Sequence, residues 1–334
     1  MRKLLAVGIS LSVIVASLFA FSHRESVPLA SSKTPVDNMN ITDLAKSSQG
    51  ILAAGELGHI LLSNNHGQQW KVANIDKKRH ALITKMAFKD DNVGLAIGHE
   101  GWILMTLDGG LNWQEMQFDN TNSDPLLDVK WLDSGHWLVI GAFGKMLTSP
   151  DAVTWKVVPA PEGTDWHLNA IIPSVDNDGR MLLIGEAGTV FTSQDLGQQW
   201  QKVTEFYTGS FYGGLHLGGS EWLIYGMRGN IFKTLDDGLS WHKIPQHVPV
   251  SIFSHIQLSD GRILLGAQGG FTLQSVDKGK SFKLLPRTIK PATITDITVM
   301  KNGDLLLGSD KGLSVQAVPE SQKQTLLAME STHE

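Results

Sequence analysis

Seven times along this chain the same order of signals returns: an apolar strand, Gly-x-x-Gly, a second apolar strand, then Ser/Thr-x-Asp/Asn-x-Gly-x-x-Trp. The first copy runs through Gly55, Gly58, Ser63, Asn65, Gly67 and Trp70, and the second through Gly98, Gly101, Thr106, Asp108, Gly110 and Trp113. The fourth has Gly185, Gly188, Ser193, Asp195, Gly197 and Trp200; the fifth has Gly226, Gly229, Thr234, Asp236, Gly238 and Trp241. The third keeps Gly141, Gly144, Ser149 and Asp151 but is one residue short before Trp155. The sixth spans Gly266 to Gly270 with one extra residue, continues through Ser275, Asp277 and Gly279, and has Phe282 for Trp. The seventh keeps Gly308 and Gly312 and loses the turn. Leading glycines at 55, 98, 141, 185, 226, 266 and 308 give steps of 43, 43, 44, 41, 40 and 42 residues. A period of this length marks an array in which each unit buries its apolar face only against its neighbours.

Within a unit the apolar and β-branched residues fall into four short runs between turn signals, with no helical period of useful length. In the second unit these runs are Ile83–Phe88, Gly94–Ile97, Trp102–Met105 and Trp113–Met116. Four antiparallel strands in about 40–45 residues describe one propeller blade. The sequence therefore predicts an all-β, seven-bladed β-propeller over residues 41–318. The seventh unit lacks a Trp-led outer strand. Residues 25–30 are expected to supply it and tie the ring, with a strand around Thr325–Met329 as the alternative donor and 319–334 as a polar tail.

The repeated polar residues have structural work to do. The Ser/Thr hydroxyl and the Asp carboxylate can bond the backbone of their own turn, the Gly offers a positive φ, and the Trp supplies a large ring to bury between blades. Ser63, Asn65, Trp70, Thr106, Asp108, Trp113, Ser193, Asp195, Trp200, Thr234, Asp236, Trp241, Ser275, Asp277 and Phe282 are therefore read as scaffold, not as a reaction centre.

Composition narrows the function. The chain has 334 residues, is 42% hydrophobic and 18% charged, and carries a net charge of -5, so it holds a real core and lacks the basic excess of a nucleic-acid binder. It has no cysteine, which removes disulfides, thiolate zinc sites and a cysteine nucleophile. Its twelve histidines include no His-Glu-x-x-His, and its Gly-rich segments lack the Lys and helix of a phosphate loop, so no metal and no cofactor is expected. Residues 1–22 read as an export signal, with Arg2 and Lys3 before an uncharged run from Leu4 to Phe21 and small residues at Ala20 and Ser22. That run is also long enough to serve as a retained N-terminal anchor and hold the protein at a membrane. Either version places the rest of the chain outside the cytoplasm, in the periplasm or on the extracytoplasmic face of a membrane.

The turn motif resembles the Asp-box, or BNR repeat. With Gly-x-x-Gly upstream, the unit looks like the repeat of the photosystem II assembly and stability factor family, over almost all of the chain. The resemblance implies a lumenal or exported propeller that escorts a membrane protein, in photosynthetic members through an arginine-rich patch. Here Arg79, Arg180, Arg228, Arg262 and Arg287 are scattered over different blades. The chain therefore looks more like the exported accessory proteins related to this family in non-photosynthetic bacteria, some found beside exporters. Sialidases resemble it in the turn alone, and their Phe/Tyr-Arg-Ile-Pro element is absent.

Candidate contact residues follow from the fold. The loops between second and third strands and the connectors between blades share one face of a propeller. The middle residues of the Gly-x-x-Gly loops, namely Glu56, His99, Glu100, Phe143, Glu186, Arg228, Asp310 and Lys311, are expected to ring the channel mouth. The connectors add Trp166, His167, Phe206, Tyr207, Phe211, Tyr212 and His247. Aromatics in loops on a rigid scaffold are what a recognition face uses. The expected function is a non-enzymatic scaffold or assembly factor of the cell envelope, monomeric, with no catalytic residues. Its expected partner is a protein, a membrane protein or complex. The alternative is a carbohydrate-active propeller, a glycosidase or lectin, using Glu56, Glu100 and Glu186 with the same aromatics, since glycoside hydrolysis needs two opposed carboxyl groups.

Overall fold

The computed structural model describes residues 38–119, 121, 123–287 and 289–318. The chain divides into Met1–Pro35 and Val36–Glu334, and everything below concerns the second unit. The export signal or anchor (1–22), the strand donors at 25–30 and 325–329 and the polar tail lie outside the described residues.

Seven antiparallel sheets follow one another along the chain, each built strand by strand in sequence order from the axis outwards. The innermost strands are Ile41–Ser47, Ile83–Phe88, Leu126–Leu132, Leu168–Pro173, Phe211–His216, Ile252–Gln257 and Ile294–Val299. Each contacts the next, and the last contacts the first, so the ring is closed. Blades 1 and 3–6 have four strands, and the described residues of blade 7 form three. Blade 2 gains a fifth strand that the sequence did not suggest: Asn74–Ile75, in the connector leaving blade 1, pairs parallel to Asn112–Gln117. That connector is also pinned by Arg79, whose guanidinium donates two bonds of 2.7 Å to Glu115.

The repeat makes physical sense at two levels. In the turn between third and fourth strands, the Thr106 hydroxyl donates to Asp108 at 2.9 Å and accepts from the Gly110 N–H at 2.9 Å, while Asp108 accepts from the Asn112 N–H. The same pattern recurs at Ser63/Asn65, Ser193/Asp195, Thr234/Asp236 and Ser275/Asp277. In the shortened third turn Ala152 takes the place of the Gly, at φ 62°, and its N–H still reaches Ser149.

The core is not one mass but seven apolar clusters, one at each blade–blade boundary. Trp113 of blade 2 packs with Leu52, Ala54 and Leu62 of blade 1; Trp200 of blade 4 packs with Leu138 and Ile140 of blade 3. Trp70 of blade 1 reaches back to Met300 and Leu306 of blade 7, so ring closure is itself one of these clusters. Trp113 alone of the turn aromatics is fully buried, at 2% exposure; Trp70, Trp155, Trp200, Trp241 and Phe282 are half-buried.

The turn carboxylates also set the acid limit. The Ser240 and Thr234 hydroxyls and the Ser240 N–H hold Asp236 at a pKa of about 2, and the Ser281 hydroxyl leads in holding Asp277 at about 2 against its partial burial. Both folded values lie below the unfolded value, 3.8, so each contributes stability that is present above about pH 4 and is lost as pH falls towards 2. The melting temperature is therefore expected to fall steeply between pH 4 and pH 2, and Asp236→Asn with Asp277→Asn should flatten that fall. Calorimetry across this range checks it; an unchanged slope in the double variant would contradict the assignment.

Candidate functional site

The segments after the second strand form single 3-10 turns in blades 1, 2, 3, 5 and 6, for example His99–Gly101 and Ala142–Gly144. In every blade the first residue after the leading position donates its N–H to the carbonyl just before the innermost strand. The seven bonds are Glu56 to Asn40, His99 to Leu82, Ala142 to Pro125, Glu186 to His167, Met227 to Ser210, Gln268 to Ser251 and Asp310 to Thr293, all at 2.9–3.2 Å. Turn and connector are thereby fastened into one face.

The leading glycine is required by space. Gly98 has an extended backbone, φ -167°, but a Cβ there would stand 2.2 Å from the Leu82 carbonyl oxygen. The structure corrects the sequence frame in two blades. In blade 6 the leading position is Ala267, paired with Ile252, and Gly266 sits one step earlier opposite Ser254, so the turn holds no extra residue. In blade 7 the leading position is Ser309, opposite Ile294.

The third residue of the turn adopts a left-handed backbone in six blades: Leu57, Glu100, Phe143, Ala187, Arg228 and Gly269, with φ between 50° and 79°. Five of these are not glycine, so each carries strain that the surrounding hydrogen bonds must hold. The conformation turns the side chain outwards. Phe143 is 67% exposed, Leu57 is 40% exposed and Arg228 is exposed.

The expected contact residues divide on this face. Phe143 stacks edge-on against His167, ring centroids 4.8 Å apart, and His167 Nδ1 lies 3.2 Å from Glu186 Oε2. Tyr212 comes next: burial raises its hydroxyl pKa, and the Glu186 charge raises it further. Tyr212 in turn stacks on Phe253, centroids 4.9 Å apart at 14°. Two ring pairs, Phe143 with His167 and Tyr212 with Phe253, thus lie on either side of the Glu186 carboxylate across blades 3 to 6. Trp166, 52% exposed, stands beside the first pair, its carbonyl accepting the Gly144 N–H. Glu56, His99, Glu100 and Arg228 belong to the turns of blades 1, 2 and 5, apart from these ring pairs.

One expectation needs correction. Phe211 is not a surface contact: it is fully buried, with Phe206, Tyr207 and Phe232 packed around it. The reason lies in the repeat, since it opens its innermost strand, where the other blades place buried Ile41, Ile83, Leu126, Leu168, Ile252 and Ile294. Tyr207 is half-buried over the same cluster, with its hydroxyl accepting from Asn230 at 3.0 Å. The axial chamber, about 370 Å³, is lined from all seven blades, and Tyr212 is the one expected contact residue among its lining.

The chamber wall was not foreseen. At the second position of the innermost strand, the Thr42, Thr84 and Thr295 hydroxyls and the Asn169 amide donate to the first carbonyl of the next blade, at 2.6–2.7 Å. At the third position, Asp43, Asp128 and Asp296 accept from Met86, Ile171 and Leu44 N–H of the next blade, each at 2.8 Å. Lys85 occupies that position in blade 2 and binds Asp43 at 2.5 Å. Burial pushes Asp43 up to about 7, with Lys85 pulling against it. Burial also opposes the Lys85 charge, but Asp43, Asp296 and Asp128 outweigh it and hold the ammonium above its usual range. Across the chamber, Tyr225 Oη lies 2.6 Å from His255 Nδ1, and burial lowers His255 to about 4, so its ring is neutral at pH 7. Tyr225 comes from a second strand and reaches inwards because Gly213 has no side chain; a Cβ there would stand 2.2 Å from Tyr225 Oη. Among the described residues no group of His, Asp and Glu side chains is arranged to hold a metal ion.

No family model matches the sequence, and no curated protein matches it. Solved structures do share the fold. "YCF48 bound to D1 peptide" superposes with a TM-score of 0.69 at 16% identity, covering 85% of this chain and 93% of that one. YCF48 from Cyanidioschyzon merolae gives 0.66 at 14% identity, covering 86% and 97%. A streptogramin B lyase gives 0.69 at 10% identity, covering 84% and 93%. The same seven-bladed ring thus serves both a peptide-binding protein and a lyase, and the fold alone does not choose between them.

Proposed function

We propose that the protein is a non-enzymatic scaffold that binds a polypeptide segment of a partner, a membrane protein or complex of the cell envelope, along the two ring pairs on the connector face. The observation that carries this reading is the exposed Phe143, held in a left-handed turn against His167, with a second ring pair, Tyr212 on Phe253, beyond Glu186. Large rings on a rigid support lose little entropy on binding and supply most of an interface's energy. The scaffold beneath them is held by turn-to-connector bonds in every blade. The solved YCF48 complex, a propeller with a bound peptide, is a precedent for this use of the fold. The arginines argue for a different recognition chemistry from an arginine patch, since Arg79, Arg180 and Arg262 are each paired with carboxylates of the scaffold. Export of the mature domain would bring this face to its partner.

The test is affinity capture from native membranes after mild cross-linking. The wild-type protein is expected to enrich a membrane protein, and Phe143→Ala with Tyr212→Ala to lose it, while Glu100→Gln retains it. Capture that survives the double variant, or turnover of a glycan panel that Glu100→Gln abolishes, would contradict the reading.

A further inference from the structure

The axial chamber is a built site whose chemistry differs from that of the face above it. Its wall has three sectors. Blades 2 and 3 contribute Lys85 and Lys130, which line the chamber and whose side chains remain 32% and 30% exposed. Lys130 lies 3.3 Å from Asp128 on its own strand. Blade 7 contributes Asp296, which accepts the Ile297 and Leu44 N–H groups. Blades 5 and 6 contribute the stacked Tyr212 and Phe253, the Tyr225–His255 pair, and the hollow left by Gly213 and Gly214.

A wall of this kind selects by charge pattern. Two ammonium groups, of Lys85 and Lys130, and two carboxyl groups, of Asp128 and Asp296, line one space, so a simple anion meets carboxylates and a simple cation meets lysines. A molecule that carries both signs a few ångströms apart satisfies both sectors. The aromatic sector would take its apolar body and would also stabilise an ammonium group over a ring face. The neutral Tyr225–His255 pair can donate or accept a hydrogen bond without adding charge. At about 370 Å³ the chamber falls in the range of small-ligand pockets.

We propose that the axial chamber binds a small zwitterion with an aromatic or apolar body, the class to which the free aromatic α-amino acids belong. The carboxylate faces Lys85 and Lys130, the ammonium faces Asp296, and the body lies against Tyr212 and Phe253. Entry is from the connector face, where Tyr212 and Phe253 stand near the start of their strands.

Calorimetric titration of the full chain with three probes tests this: L-phenylalanine, phenethylamine, which lacks the carboxylate, and 3-phenylpropionate, which lacks the ammonium. L-Phenylalanine is expected to bind saturably, and each half-probe at least about tenfold more weakly. Lys130→Met should weaken L-phenylalanine by about tenfold and leave phenethylamine unchanged. If Lys130→Met does not fold, Tyr212→Ala replaces it and should weaken all three probes. No saturable binding of any probe up to about 10 mM, equal affinities for all three, or affinities unmoved by the variant would overturn the proposal. Lys130 lies outside the ring pairs, so loss of the zwitterion with partner capture intact separates this site from the proposed partner face.

Discussion

Trp113→Ala is expected to lower the unfolding free energy by about 3–5 kcal/mol, the largest loss among the six turn aromatics. The ring is fully buried, it packs on the preceding blade, its Nε1 donates to the Gly110 carbonyl at 3.0 Å, and Phe88 meets it edge-on. Trp155 makes the equivalent bond to Ala152 but is half-buried, so Trp155→Ala should cost about 1–2 kcal/mol by the smaller area lost. Urea titrations of the two variants compare them directly. A larger loss at Trp155 would mean that the inter-blade clusters do not carry the ring as described.

The second large effect is expected at Asp43. Its side chain is 1% exposed and bonds both Lys85 and the Met86 N–H, joining blade 1 to blade 2. Asp43→Ala leaves a half-buried ammonium and a buried N–H without this partner, and such a break costs about 3 kcal/mol. Asp43→Asn keeps an acceptor for the N–H and should cost about 1–2 kcal/mol. Equal losses in the two variants would show that packing, and not the stitch between blades, sets the effect.

What could be read in the sequence, and what could not, follows from where each side chain spends its interactions. The turns were legible because hydroxyl, carboxylate and glycine act within five residues of one another, and a local motif survives as a local spacing. The blade count was legible for the same reason. The frame slipped by one residue in blades 6 and 7 because the leading position there is not glycine. Ala267 and Ser309 fill its place, and Gly266 and Gly308 happen to precede them.

The chamber was hidden because its bonds join residues about 42 apart, such as Thr42 to Ile83 and Asp128 to Ile171. A signal was nevertheless present. Aligning the seven innermost strands stacks Asp43, Asp128 and Asp296 in one column and Thr42, Thr84 and Thr295 in the column before it. The column before that is aliphatic in six blades, which identifies Phe211 as core. Tyr225 had no such signal, because its reach to His255 depends on the absent side chain of Gly213, a contact between two strands that no spacing encodes. On the candidate face, turns and connectors were placed together correctly, but the pairing of Phe143 with His167 and of Tyr212 with Phe253 is a matter of ring packing between neighbouring blades.

The central claim is that the connector face, and not the opposite face, meets the partner. Leu239, 89% exposed on the turn between third and fourth strands of blade 5, marks that opposite face. A photo-cross-linking amino acid placed at Phe143 or at Leu239, in otherwise wild-type protein within native membranes, tests the claim most directly. The account predicts a discrete adduct with one membrane protein from position 143 and none from position 239. An adduct from position 239 with none from position 143 would contradict it.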